Sequence, residues 1–98
     1  MKVLYNDITI AIVLYQESYE IVSKCLSSLE NFNIIIIDNS QNYKLKKKFI
    51  KNFKIFKYII NKKNLGFSKA TNQAIRLINT EYVLSLEADC IIKIHDIF

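Results

Sequence analysis

From Ile8 to Tyr15 the chain reads ITIAIVLY, an almost unbroken aliphatic and β-branched run. Such a run, with no polar alternation, fits a strand covered on both faces, as in a parallel sheet. Over Glu17–Asn31 the period changes. Ile21, Val22, Cys25, Leu26 and Leu29 recur at helical spacing as one apolar stripe, and Glu17 and Glu20 fall where the helix dipole favours negative charge. Asn33–Asp38 is a second short apolar run, closed by Asp38-Asn39-Ser40, a loop signal. Tyr43–Phe53 predicts an amphipathic helix with Leu45, Phe49 and Phe53 on one face and Lys46, Lys47, Lys48 and Lys51 over the rest. Lys54–Ile60 is a third strand, less apolar than the first two and so expected nearer an edge. Asn61–Gly66 is a polar loop, Ser68–Asn79 a helix with Thr71, Ala74, Ile75 and Ile78 on one side, and Tyr82–Leu86 a fourth strand leading into Glu87-Ala88-Asp89.

Strand and helix thus alternate three times and a strand closes the series. Alternation at these lengths predicts βαβ units and a parallel sheet. Right-handed crossovers place helices on both faces when the winding direction reverses once. No repeat, linker or low-complexity segment divides residues 1–98, which are expected to form a single domain. Ile91, Ile92, Ile94, Ile97 and Phe98 make an apolar tail, expected either to fold back onto the sheet or to meet further chain, a complementing polypeptide or a second copy.

Composition narrows the class. Hydrophobic residues make up 51% and charged residues 23%, a globular balance. Cys25 and Cys90 form no CxxC pair and no metal-ligand cluster with His95, so reduced thiols and a structural histidine are expected. No apolar run is long enough to span a membrane, and Asp7 falls where a signal peptide needs its apolar region, which points to the cytoplasm. The net charge is +5, with much of the excess between Lys44 and Lys63. That excess suits nucleic acid, an anionic membrane surface or a phosphorylated ligand, and also suits a solvated face in a chain rich in Ile, Lys and Asn.

A doubly wound sheet often holds a nucleotide, so the phosphate-binding device discriminates. Dinucleotide folds use GxGxxG after the first strand and P-loops use GxxxxGK[ST]. The only glycine is Gly66, after the third strand, and the turn after the first strand is Tyr15-Gln16-Glu17-Ser18. Neither backbone cradle can form. A diphosphate can instead be held through a divalent cation that carboxylates also ligate. Asp38, Glu87 and Asp89 are carboxylates at predicted strand ends, where ligands of open α/β sheets bind.

The stretches ITIAIVLYQES, IIIIDNS, NKKNLGFSKATNQAI and EYVLSLEAD resemble, in order and spacing, the N-terminal half of the glycosyltransferase family 2-like enzymes, rhamnosyltransferase-like members in particular. The resemblance implies a GT-A, Rossmann-like doubly wound sheet of about four strands in the order 3-2-1-4. It implies the donor-binding part of an inverting, metal-dependent enzyme that transfers a sugar from a UDP- or dTDP-sugar to a glycan or lipid-linked acceptor, working in the cytoplasm or at the inner membrane face. By the same resemblance Tyr15 lies against the base and Asp38 accepts a hydrogen bond from base or ribose. Asn64, Gly66 and Phe67 form the loop beside the nucleotide, and Asn72 faces the same cleft. Asp89 binds the cation, Mg²⁺ or Mn²⁺, and Glu87 reaches the ribose or a metal-bound water. The metal motif is E-A-D where the family usually has Asp or Asn first, and Gln16 stands where Asn is common. The family's general base is a carboxylate well past the metal motif, so it is expected beyond residue 98 and the chain is expected to be inactive alone.

Each of these residues also has a structural reading. Asp38 can cap its turn, Tyr15 and Phe67 can pack inward, Gly66 can serve only the turn, and Asn72, Glu87 and Asp89 can be solvated. The alternative function is a basic module that uses Lys44–Lys63 on nucleic acid or a membrane surface.

Overall fold

The computed structural model describes residues 4–92. Four strands, β1 (Ile8–Leu14), β2 (Asn33–Asp38), β3 (Lys57–Ile60) and β4 (Tyr82–Leu86), alternate with three helices, α1 (Tyr19–Ser27), α2 (Tyr43–Asn52) and α3 (Phe67–Ile75). The sheet is parallel throughout and ordered β3-β2-β1-β4. β1 is central, with Thr9–Leu14 paired to Asn33–Asp38 on one side and Ile8–Ile12 paired to Tyr82–Leu86 on the other.

The two faces of β1 explain why its sequence shows no alternation. Ile8, Ile10, Ile12 and Leu14 join Ile34 and Ile36 under α1 and α2, in a core closed by Val22, Cys25, Leu26, Leu29 and Phe49. Ala11 joins Ile35 and Ile37 under α3, which contributes Ala70 and Ala74. Both faces are apolar because both are covered. The winding reverses between β3 and β4, so α3 lies on the face opposite α1 and α2.

Several boundaries are tighter than the periodicity predicts. α1 starts at Tyr19 because Ser18 is its N-cap, with Oγ accepting from the Ile21 backbone N–H at 3.3 Å. Glu17 therefore precedes the helix, and only Glu20 lies in its first turn. Ile21, expected in the core stripe, is exposed. β3 begins three residues later than expected and lies at the sheet edge, as its lower apolarity suggests. α3 ends at Ile75 instead of Asn79, and its core contacts are Ala70 and Ala74 rather than Ile75, which is exposed. Small side chains at those two positions let α3 sit close over β1 and β2.

After β4 the chain turns back over α1. Cys90 and Ile92 pack against the larger core, and the Ile92 backbone N–H donates to Ser28 Oγ at 3.1 Å. Ile91 is exposed. Ile94, His95, Ile97 and Phe98 lie outside the described residues. Among the described residues no helix is long and apolar enough to cross a membrane.

Candidate functional site

The reversal of winding leaves a gap at the carboxyl ends of β1 and β4. A cleft of about 430 Å³ opens there, lined by Val13, Glu17, Ile21, Phe67, Glu87, Ala88 and Asp89. This is where an open α/β sheet presents a ligand site. Two local devices present its carboxylates. After β4, Leu86 and Ala88 are buried while Glu87 and Asp89 are exposed, so each apolar residue anchors the turn and each acid is turned outward. The Cys90 N–H closes that turn on the Glu87 carbonyl at 3.0 Å. After β1, the chain bends through Gln16 at φ 64°, a left-handed conformation few non-glycine residues adopt. The bend brings Glu17 Oε2 to 2.5 Å from the Tyr15 backbone N–H.

The loop from β3 to α3 is held by amide side chains. Asn39 Oδ1 accepts from Asn61 Nδ2 at 2.8 Å and from the Leu65 N–H at 3.3 Å, while Asn39 Nδ2 donates to the Gly66 carbonyl at 3.3 Å. Asn61 and Gln73 exchange two further bonds, at 2.7 and 2.8 Å. Asn64 Oδ1 accepts from the Gly66 N–H at 2.9 Å, and Gln41 Nε2 donates to the Lys62 carbonyl. Gly66 sits at φ 82°, ψ 169°, a region essentially reserved for glycine. A Cβ there would meet nothing within 4 Å, so conformation and not space demands the glycine. Phe67, the first residue of α3, is thereby held at the cleft with 56% of its surface exposed.

Asp38 ends β2 and is fully buried. Its Oδ1 accepts from the Ser40 N–H at 2.9 Å and Ser40 Oγ at 2.5 Å, and its Oδ2 accepts from the Tyr58 hydroxyl at 2.7 Å. Burial, then that hydrogen bond and the Asp38 charge, push the Tyr58 phenol well above its ordinary range. Cys25 lies beneath the E-A-D turn, its Sγ 4.0 Å from the Glu87 carbonyl. Burial first, then Cys90 and Asp89, push its thiol up to about 11, so it is a neutral packing group at physiological pH.

Of the residues singled out in the sequence, Phe67, Glu87 and Asp89 share the cleft. Tyr15 stands in the bend after β1, half-exposed, and its ring is not part of the lining. Asn64 and Gly66 shape the neighbouring loop, Asp38 is buried at the end of β2 outside the cleft lining, and Asn72 is on the exposed side of α3, opposite Ala70 and Ala74. Sequence reasoning passed over Glu17, which lines the cleft, and Asn39, Tyr58, Asn61 and Gln73, which fix the surrounding loops. Among the described residues no three His, Cys, Asp or Glu side chains come close enough to hold a metal ion by themselves.

The model of glycosyl transferase family 2 matches residues 9–97. Among solved structures, the crystal structure of S. aureus TarS 1-349 superposes with a TM-score of 0.69 at 21% identity, covering 88% of this chain and 28% of that one. The crystal structure of S. aureus TarS gives a TM-score of 0.65 at 21% identity, covering 84% of this chain and 16% of that one. Both likenesses are of fold, and the chain spans under a third of either structure. No curated protein matches the chain.

Proposed function

The chain belongs to glycosyl transferase family 2, and from that premise we propose that it binds the nucleotide-sugar donor, a UDP- or dTDP-sugar, of an inverting, metal-dependent transfer to a glycan or lipid-linked acceptor. The observation that carries this reading is the cleft at the winding reversal. Its charged lining is entirely acidic, Glu17, Glu87 and Asp89, with no Lys or Arg. Three carboxylates repel a diphosphate, so an anionic donor belongs there only with a cation between.

The residues fit such an ion. Mg²⁺ and its relatives take oxygen ligands and are commonly held by one or two carboxylates, with waters and substrate phosphates completing the shell. Asp89 is assigned as the protein ligand and Glu87 as its neighbour toward the ribose or an ion-bound water. Asp89 and Glu87 would hold the cation where it would neutralise charge on a departing diphosphate. Phe67 and Tyr15 offer exposed aromatic faces, at the cleft and at the end of β1, for the base and ribose. Asn64 and Gly66 set the loop from which Phe67 projects, and Asn72 is assigned to the rim. Asp38, buried, accepts hydrogen bonds from Ser40 and Tyr58 and so fixes the end of β2. Donor binding is the activity assigned to this chain.

Paramagnetic resonance of free Mn²⁺ tests this directly. The expected result is loss of free-ion signal when protein and UDP or dTDP are both present, beyond what the nucleotide alone causes, and recovery of that signal in Asp89→Asn. A signal set by the nucleotide alone, with or without folded protein, would contradict the assignment.

A further inference from the structure

Charge is divided sharply along this chain. Residues 39–80 hold eleven of its fourteen basic residues and no Asp or Glu, while all nine acidic residues lie in 7–38 and 81–96. The basic stretch supplies α2, β3 and α3, while the cleft lined by Glu17, Glu87 and Asp89 opens at β1 and β4; at the other end of the sheet Glu30 lies beside Lys54.

α2 gives one flank, Leu45, Phe49 and Phe53, to the core. A second flank follows the i, i+3, i+4, i+7 spacing of a single helix face: Tyr43, Lys46, Lys47 and Ile50. Tyr43 is 60% exposed and Ile50 50% exposed, so neither covers the core. Lys46 Nζ stands 5.9 Å from the Tyr58 ring centroid, which turns this flank toward the β3 edge. Lys48 Nζ, 3.9 Å from the Tyr19 centroid, marks the opposite flank, toward α1. Just before β3, Lys54 is exposed and Phe56 is 46% exposed, with Lys57 Nζ 5.7 Å from its ring.

We propose that this flank of α2, with the start of β3, docks the protein on an anionic lipid surface. Lysines surrounding exposed Tyr, Ile and Phe side chains match both layers of such a surface, negative headgroups and the apolar boundary beneath them. A nucleic acid would use the lysines but gains nothing from Ile50. It would also favour arginine for reading bases, and Arg76 is the only arginine. Since β3 and β4 are opposite edges of the sheet, docking at β3 leaves the cleft open to its ligands.

Co-sedimentation of the full chain with phosphatidylcholine vesicles, with and without phosphatidylglycerol, tests the surface. Binding is expected only to the anionic vesicles, falling with salt. Each surface lysine is worth roughly a fivefold change in partition, so Lys47→Gln with Lys54→Gln should weaken binding about twenty-five-fold. Tyr43→Ser with Ile50→Ser keeps every charge. It should weaken vesicle binding severalfold while leaving binding to heparin, a soluble polyanion, unchanged. All four positions are exposed, and thermal unfolding of each variant verifies that it is folded. No binding to anionic vesicles by the unmodified chain would overturn the proposal. Vesicle binding unaffected by the Tyr43 and Ile50 changes would also overturn it, leaving general polyanion attraction.

Discussion

At the scale of single residues, conformation and burial decide more than residue type. Gly66→Ala meets no steric neighbour yet forces a Cβ into a glycine-only conformation. Its expected cost is about 1–3 kcal/mol, read as a lower denaturation midpoint with an unchanged slope. Tyr58→Phe removes one of three hydrogen bonds to the buried Asp38 carboxylate and should cost about 1–3 kcal/mol. Cys25 gives the chain an alkaline limit. Its folded-state thiol titrates at about 11 against an ordinary 9.0, so the folded chain holds its proton longer than the unfolded one. That stabilisation is complete below pH 9.0 and is lost as pH rises to about 11, at about 1.4 kcal/mol per pH unit. Unfolding midpoints measured across that window should fall, and less steeply in Cys25→Ala. The E-A-D carboxylates were legible because they close a predicted strand, Tyr82–Leu86. The setting of Asp38 was not: a carboxylate closing an apolar run reads equally as a ligand or as a turn cap, and its burial and its bond from Tyr58, twenty residues on, follow no local pattern.

At the scale of elements, the hydrophobic runs placed all four strands because each must be apolar on its covered faces. Helix ends were less legible. Ser18 and Asn42 act as N-caps through single side-chain bonds, which periodicity does not report. Asn42→Ala should cost about 1 kcal/mol, visible in chemical denaturation, since Asn42 Oδ1 accepts from the Leu45 N–H at 3.0 Å. The loop between β3 and α3 was legible as a loop but not as a fixed one. Its restraints join Asn39 to Asn61, Leu65 and Gly66, and Asn61 to Gln73, across separations that no local pattern encodes. Glu17 escaped notice for a related reason: it reads as a first-turn helix charge, but Ser18 caps the helix after it and leaves it at the cleft.

At the scale of the whole molecule, an acidic cleft opens at β1 and β4 of a chain whose α2 and β3, at the other edge of the sheet, are rich in lysine. Net charge alone, +5, points to an anionic partner but not to where it binds. The proposed donor site at β1 and β4 and the proposed lipid surface at β3 thus lie at opposite edges of the sheet. Thermal unfolding with nucleoside diphosphates and nucleotide sugars, with and without Mn²⁺, tests the donor site. A ligand that binds only the folded chain adds about 2.7 kcal/mol at a hundredfold excess over Kd, roughly ten degrees or more in a domain of this size. Such a rise is expected with UDP or dTDP or their sugars, dependent on Mn²⁺ and abolished by Asp89→Ala. A folded protein whose midpoint no nucleotide moves, with or without Mn²⁺, would contradict it.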